Sequence, residues 1–344
     1  MELDKIYQGH ALRVLKKLPA ESIDCVVTSP PYWALRDYGV ADQIGLESTF
    51  QEYVVKLCDI FDEIKRVLKG PGSLWVNLGD TYNNLTPGSR DPHRWPKQSR
   101  NDHKAAKPKI SYPQKSLCLI PERFVIEMVD RRGWIARNDI VWSKNNPMPE
   151  SVRDRCTKSH EYVYFFVKSQ SYYFDQDAIR EPYSEASLPR ALRGLSAKNK
   201  WKDGAPGSTA NSISQPRLNV RKQFKREYGG GGSSFVGHSG YRTADGRLLI
   251  NPLGRNKWTV WQVSTASYRG DHFATFPESL IEPMIKAGCP QGGVILDPFM
   301  GSGTTAVVAK RLSRNFVGIE LNPKYIEIAE KRISGDERTR SKFI

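Results

Sequence analysis

Long apolar runs are missing from these 344 residues: no stretch of eighteen consecutive apolar side chains occurs, so no membrane span is expected. Cysteine is scarce and scattered, at 25, 58, 118, 156 and 289, with no C-x-x-C pair. That spacing implies neither zinc nor a disulfide framework, and fits free or buried thiols in a reducing compartment. The opening Met1-Glu2-Leu3-Asp4 lacks the basic start and apolar centre of a signal peptide. A cytoplasmic protein is expected, encoded by a prokaryote or a virus. No internal repeat is visible, no metal is implied, and nothing resembles a nuclease site. Acidic charge is also short, with 37 Asp and Glu against 52 Lys and Arg, a net charge of +15.

What is present starts with Thr28-Ser29-Pro30-Pro31-Tyr32-Trp33, directly after the apolar run Ile23 to Val27. Neither proline donates an N–H, and each has φ pinned near −65°. A turn of this kind at a strand end fixes a hydroxyl, acceptor carbonyls and an aromatic face in one place. Such an edge suits an amino group and a flat heterocycle. Taken alone it is equally an ordinary surface Pro-Pro turn with a packed aromatic.

A second motif lies far along the chain. Val294-Ile295-Leu296 reads as a short buried strand, then Asp297-Pro298-Phe299-Met300-Gly301-Ser302-Gly303-Thr304-Thr305 leads into a helical run near Ala306. Glycines permit sharp turning and close approach of a ligand, and the helix beyond offers free N–H groups. The next strand, Phe316 to Ile319, ends in Glu320, a carboxylate suited to two ribose hydroxyls. This is half of a doubly wound nucleotide site. Gly301-x-Gly303-x-x-Ala306 also fits the dinucleotide fingerprint, so an NAD or FAD oxidoreductase is a rival. Fewer than thirty residues follow Glu320, enough for one helix (Pro323 to Ile333) and a charged tail. The remaining strands are therefore expected from the N-terminal part, in circularly permuted order.

Together these residues resemble the amino-methylating DNA methyltransferases of the β group, in which the catalytic motif precedes the S-adenosylmethionine motif. The resemblance covers most of the chain. It implies an α/β, doubly wound, Rossmann-like sheet, with S-adenosylmethionine as cofactor and duplex DNA with a flipped target base as substrate. It assigns Ser29, Pro30, Pro31 and Tyr32 to the catalytic edge. Ser29 Oγ and the Pro30 carbonyl take the amine's hydrogens and Tyr32 stacks on the ring; Trp33 is a weaker candidate that also reads as core. It assigns Asp297, Phe299, Gly301, Gly303, Thr304, Thr305 and Glu320 to the cofactor. His10 stands where the family commonly has an Asp near the adenine, and a helix-capping or merely exposed histidine is the alternative. Asp271 to Pro277, with His272 and Phe273, resembles the segment that encloses the methionine end. Ser before Pro-Pro goes mostly with cytosine N4, which is the expected target, and adenine N6 is the alternative. A catalytically silent DNA-binding protein and an RNA substrate are remoter readings. A homodimer is left open, and so is a restriction endonuclease partner.

The basic charge is concentrated. Residues 186–257 hold fourteen Lys or Arg against three Asp or Glu, +11 of the total. This Gly-, Ser-, Asn- and Pro-rich stretch reads by composition as a solvated linker. Beside a base-modifying motif it reads better as an arm that follows phosphates, with Arg221, Lys222, Lys225, Arg226 and Arg242 as candidate DNA contacts. The expected organisation is a catalytic half over 1–183, a target-recognition insert over 184–257 and a cofactor half over 258–344. A second basic loop, Arg90 to Lys115, is a candidate clamp. Phe50 to Leu68 keeps a helical period, with Thr49 and Glu52 as its capping box and Gly70-Pro71 as its stop. Leu74 to Leu78 reads as a strand whose Asn77 to Asp80 end lines the pocket. Glu122 to Asp130 reads as a helix. Trp134 to Trp142 and Glu161 to Val167 are expected to pair as a hairpin at the sheet edge, and between them Asn145 to Glu150 is a loop that could touch the extruded base or the strand it left.

Overall fold

The computed structural model describes residues 1–83, 110–183, 251, 253–265 and 276–340, and divides into two compact units. The first takes in 1–175 and 258–344, the second 176–257.

In the first unit, β1 (Lys5–Gln8) leads into α1 (Ala11–Leu15), and β2 (Ile23–Thr28) follows. β2 is buried on both faces, as a central strand is. Next comes α2 (Phe50–Val67), whose Thr49 hydroxyl caps the helix by accepting from the Glu52 N–H at 3.1 Å. Its Phe50, Tyr53, Val54, Leu57, Ile60, Phe61 and Ile64 recur at helical spacing and are all buried. β3 (Leu68–Leu78) starts at the residue after α2. The expected stop, Gly70-Pro71, therefore lies inside the strand, where the register with β2 breaks between Ile23 and Cys25. The helix ends earlier than expected because pairing of Leu68 with Ile23 draws the chain into the sheet.

After α3 (Ile120–Asp130) come β4 (Ile135–Ser143) and β5 (His160–Val167), an antiparallel pair as expected. They are not the sheet's edge, however. β6 (Val260–Gln262) adds in parallel outside β4. Three residues carry no periodicity from which to foresee a strand. The chain closes with α4 (Glu278–Gly288), β7 (Val294–Asp297), α5 (Thr304–Arg311), β8 (Asn315–Glu320) and α6 (Pro323–Arg340).

One eight-stranded sheet runs β1-β8-β7-β2-β3-β5-β4-β6. The first five of these are mutually parallel, and β5 runs against both of its neighbours. Alternation along the strands serves two layers. Val26, Leu74 and Val76 join the core cluster of α2, while Ser73, one residue along, donates to the Gly288 carbonyl of α4 at 3.0 Å. Helices thus cover both faces, the doubly wound arrangement. Among the described residues no helix is long and apolar enough to cross a membrane.

The second unit is described only at its two ends. A 3₁₀ turn over Asp177–Ile179 is held by Arg180, which pairs with Asp177 at 2.5 Å and donates to Asn256 at 2.7 Å. Glu181 bridges to Arg255 through the backbone and pairs with Arg255 and Lys257.

Candidate active site

The carboxyl ends of parallel strands are where an open α/β sheet places its chemistry. Here five such ends lie in a row, from β1 through β8, β7 and β2 to β3. The two sequence motifs occupy neighbouring strands, β2 and β7.

They are joined by one buried contact. The Thr28 hydroxyl donates to Asp297 Oδ1 at 2.7 Å, and both residues are only 1% exposed. Asp297 Oδ2 accepts from the Thr305 hydroxyl at 2.6 Å, and Oδ1 also accepts from the Phe299 N–H at 3.1 Å. Burial pushes the Asp297 carboxyl up to about 6, against the lowering by these three donors. Asp297 and Thr305 thus spend their side chains on each other and on β2. Their geometry is that of a brace beneath the loop.

The loop above the brace is shaped by its neighbours. Gly303 has φ +81°, and a Cβ there would lie 2.8 Å from that of Ala329 on α6. Only glycine accepts both that backbone and that contact. From α6, Arg332 donates to the Ser302 carbonyl (2.8 Å), the Ser302 hydroxyl (2.7 Å) and the Thr304 hydroxyl (3.1 Å). Glu320, at the end of β8, accepts from the Gly301 N–H and the Asn322 N–H, each at 2.8 Å. Burial raises its pKa despite those donors. Beside it, Gln8 of β1 pairs with Glu320, and His10 follows two residues on. The His10 side chain makes no capping bond, and its Nδ1 is buried without a partner. Burial, then the nearby Arg13, lowers its pKa, with Asp42 opposing. His10 is thus a neutral imidazole with one unmet polar atom, two residues past the strand that pairs with β8.

On the other side of the brace, the Pro-Pro turn is held by the Tyr53 hydroxyl, which donates to the Pro31 carbonyl at 2.8 Å. Trp33 is buried, with its indole donating to the Glu47 carbonyl at 2.9 Å, and so belongs to the core. Ser29 and Tyr32 are both partly exposed. The ring of Tyr32 lies against Gly79, where a Cβ would come within 2.4 Å of it. Any larger residue at 79 displaces the tyrosine.

A polar chain that the motifs do not announce runs behind these two side chains. Asn77 of β3 presents Oδ1 to the Ser29 hydroxyl (3.3 Å) and the Tyr32 hydroxyl (3.2 Å). Its Nδ2 donates to Glu161 (3.3 Å) and to the Tyr162 carbonyl (3.0 Å) on β5. Glu161 also accepts from the Tyr32 hydroxyl at 2.7 Å and from Lys144, just past β4, at 2.5 Å. Burial alone would raise the Glu161 carboxyl, yet Lys144, Tyr32 and Asn77 together hold it below the usual range. Burial, then the charge of Glu161, keeps the Tyr32 phenol well above its ordinary pKa, so it stays protonated. The sequence sign of this network is a lone carboxylate at the start of an aromatic, β-branched strand. Asp80 is occupied elsewhere, since its carboxylate accepts from the N–H groups of Leu119 and Ile120 at the start of α3.

His272 and Phe273, and Arg221, Lys222, Lys225, Arg226 and Arg242, lie outside the described residues. So does most of the Arg90 to Lys115 loop.

A family model described as DNA methylase, of the N6/N4 type, matches residues 23–331. The chain therefore belongs to that family, the amino-methylating DNA methyltransferases. Among its relatives, the Type II methyltransferase M.Cfr9I of Citrobacter freundii is 38% identical over 336 residues, covering 96% of this chain and 88% of its own. The fold is shared with the PvuII DNA methyltransferase, described as cytosine-N4-specific (TM-score 0.57, 20% identity, 96% of this chain and 86% of that one). It is shared too with a Thermus thermophilus protein, a putative DNA modification methylase solved with S-adenosyl-L-methionine (TM-score 0.52, 20% identity, 96% and 95%).

Proposed function

We propose that this chain methylates the exocyclic amine of a flipped DNA base with S-adenosylmethionine as donor, cytosine N4 being the target and adenine N6 the alternative. The observation that carries the reading is the 2.7 Å bond from Thr28 to Asp297. It locks the hydroxyl-bearing edge and the glycine loop onto adjacent strands, the closeness that direct transfer from donor to acceptor requires.

The residues fit such a cofactor. Glu320 offers a carboxylate for ribose hydroxyls, and the buried, unpartnered Nδ1 of His10 offers a polar contact near the adenine. Gly301, Gly303, Thr304 and Phe299 form the wall of the cradle, with Asp297 and Thr305 bracing it from below. S-adenosylmethionine supplies an electrophilic methyl group on a sulfonium. The chain's own work is positional. Ser29 Oγ and the Pro30 carbonyl accept the two amine hydrogens and orient the nitrogen lone pair, while Pro31 and Tyr32 hold the ring. An aromatic amine is a weak nucleophile because its lone pair is delocalised, and orientation of this kind is worth several kcal/mol. A base inside a duplex cannot reach this edge, so it must be flipped out at a cost of a few kcal/mol.

Cytosine stands first because Ser before Pro-Pro goes mostly with cytosine N4 in the family that the motifs resemble. Residues 184–257 are our proposed target-recognition segment, with Arg221, Lys222, Lys225, Arg226 and Arg242 on DNA phosphates and His272 with Phe273 near the methionine end. The permuted order of the two halves belongs to the same reading.

The test is incubation with S-adenosylmethionine and unmethylated genomic DNA, digestion to nucleosides and mass spectrometry. N4-methylcytosine is expected, and its rate of formation should fall steeply in Ser29→Ala and Tyr32→Ala. N6-methyladenine would keep the mechanism and change the base. Absence of any methylated nucleoside, with cofactor binding intact, would overturn the reading.

A further inference from the structure

Beyond the target atom lies the question of what makes Ser29 an acceptor. A serine hydroxyl both donates and accepts, and its proton rotates to suit the partner. Left free, it serves an amine N–H or a carbonyl oxygen equally well. We infer that Glu161 is a positioning residue that fixes the polarity of Ser29 through Asn77, and with it the preference for an amine over a carbonyl at the target position. This rests on the proposed amine methylation.

The argument follows the protons. A carboxylate only accepts, and Glu161 is kept in that form by Lys144 at 2.5 Å. Asn77 Nδ2 faces Glu161 and the Tyr162 carbonyl, two acceptors, so the amide cannot turn over without setting its oxygen against both. Asn77 Oδ1 must therefore face the Pro-Pro turn. Tyr32 has one hydroxyl proton, and the shorter contact takes it to Glu161, 2.7 Å against 3.2 Å. The proton of Ser29 then turns inward, to Asn77 Oδ1 at 3.3 Å or to the neighbouring Tyr32 oxygen, whose own proton is spent on Glu161. With its proton committed inward, Ser29 shows only lone pairs to the pocket.

A base amine, as on cytosine or adenine, meets an acceptor there. The keto oxygen of uracil or hypoxanthine, the deaminated counterparts, meets an acceptor against an acceptor and is rejected. The charged groups around Glu161 are Lys144 beside β4 and Lys158 ahead of β5, whose half-buried Nζ donates to the Asp80 carbonyl at 2.6 Å. The remaining contacts, from the Tyr32 phenol and the Asn77 amide, are neutral.

The test uses the full-length protein and duplexes carrying its mapped site, with the target base either intact or replaced by its deaminated form. Glu161→Gln removes the obligatory acceptor and frees Asn77 to turn. The expected result is a fall in kcat of about tenfold, an unchanged KM for S-adenosylmethionine, and a loss of about tenfold in the intact-over-deaminated binding ratio. Glu161→Asp should recover part of that ratio, which a packing role would not require. Lys144→Met weakens the same anion without touching Asn77 and should move kcat and the ratio the same way. It decides the matter if Glu161→Gln fails to fold. A folded Glu161→Gln with the wild-type ratio overturns the inference, as does an unchanged ratio in Lys144→Met. Wild-type protein that methylates no DNA would instead sink the functional reading itself.

Discussion

The two halves of the site use their signature residues in opposite ways. On the β7 side, Asp297 and Thr305 are wholly buried and bonded to each other, so they shape a loop from beneath. On the β2 side, Ser29 and Tyr32 stay partly exposed, and their hydroxyls are steered by β3 and β5. The two motifs therefore hold two kinds of residue, those presented at the sheet's edge and those buried beneath the loop. The loss expected from a substitution differs accordingly.

The comparison breaks most sharply at Ser29. Ser29→Ala should lower kcat by about 100-fold while leaving the melting temperature and cofactor binding near wild type. A variant that melts early would move Ser29 to the structural class. Asp297→Ala should do the reverse and strike stability first. It strands the hydroxyls of Thr28 and Thr305 inside the core, at about 2 kcal/mol or more in urea unfolding. Arg332→Met removes three bonds to Ser302 and Thr304 and should raise the KM for S-adenosylmethionine about tenfold. Its effect on kcat should be the smaller one, since the β2 edge is untouched.

The subtlest distinction is in pH. Asp297 titrates at about 6 when folded, above the usual value near 4 for an aspartate. Between those values the folded chain binds the proton that the unfolded chain has lost. Stability contributed by this group is therefore full below about pH 4, falls as pH rises to about 6, and is flat beyond. The slope is at most about 1.4 kcal/mol per pH unit, and Asp297→Asn should abolish it in denaturant titrations run across that range.

Much of this was legible in the linear chain because it is local. Thr49 and Glu52 stand three residues apart and form the cap they announce; the Pro-Pro turn and the glycine loop are contiguous. What was hidden depends on register between distant strands. Glu161 reaches Asn77 only because β5 inserts antiparallel between β3 and β4, opposing Leu78 with Tyr162. Nothing around position 161 specifies that partner. Arg332 was equally silent: in sequence it is one more cation on a polar helix, and only the packing of α6 on Gly303 brings it to the loop. Three residues cannot display a period, so the edge strand β6 is not legible in the sequence, and pairing with β2 ends the helix before the Gly70-Pro71 stop that the sequence suggests.

The bond from Thr28 to Asp297 spans 269 positions, and this bears on how the chain matures. A ribosome finishes β2 and β3 long before β7 exists. Until β7 arrives, one side of β2 carries an open ladder of backbone groups and Thr28 lacks its buried partner. The nascent protein thus holds a sticky, half-built sheet for most of its synthesis, and the last strands to emerge close it. Assembly of the site therefore waits on the docking of β7 against β2.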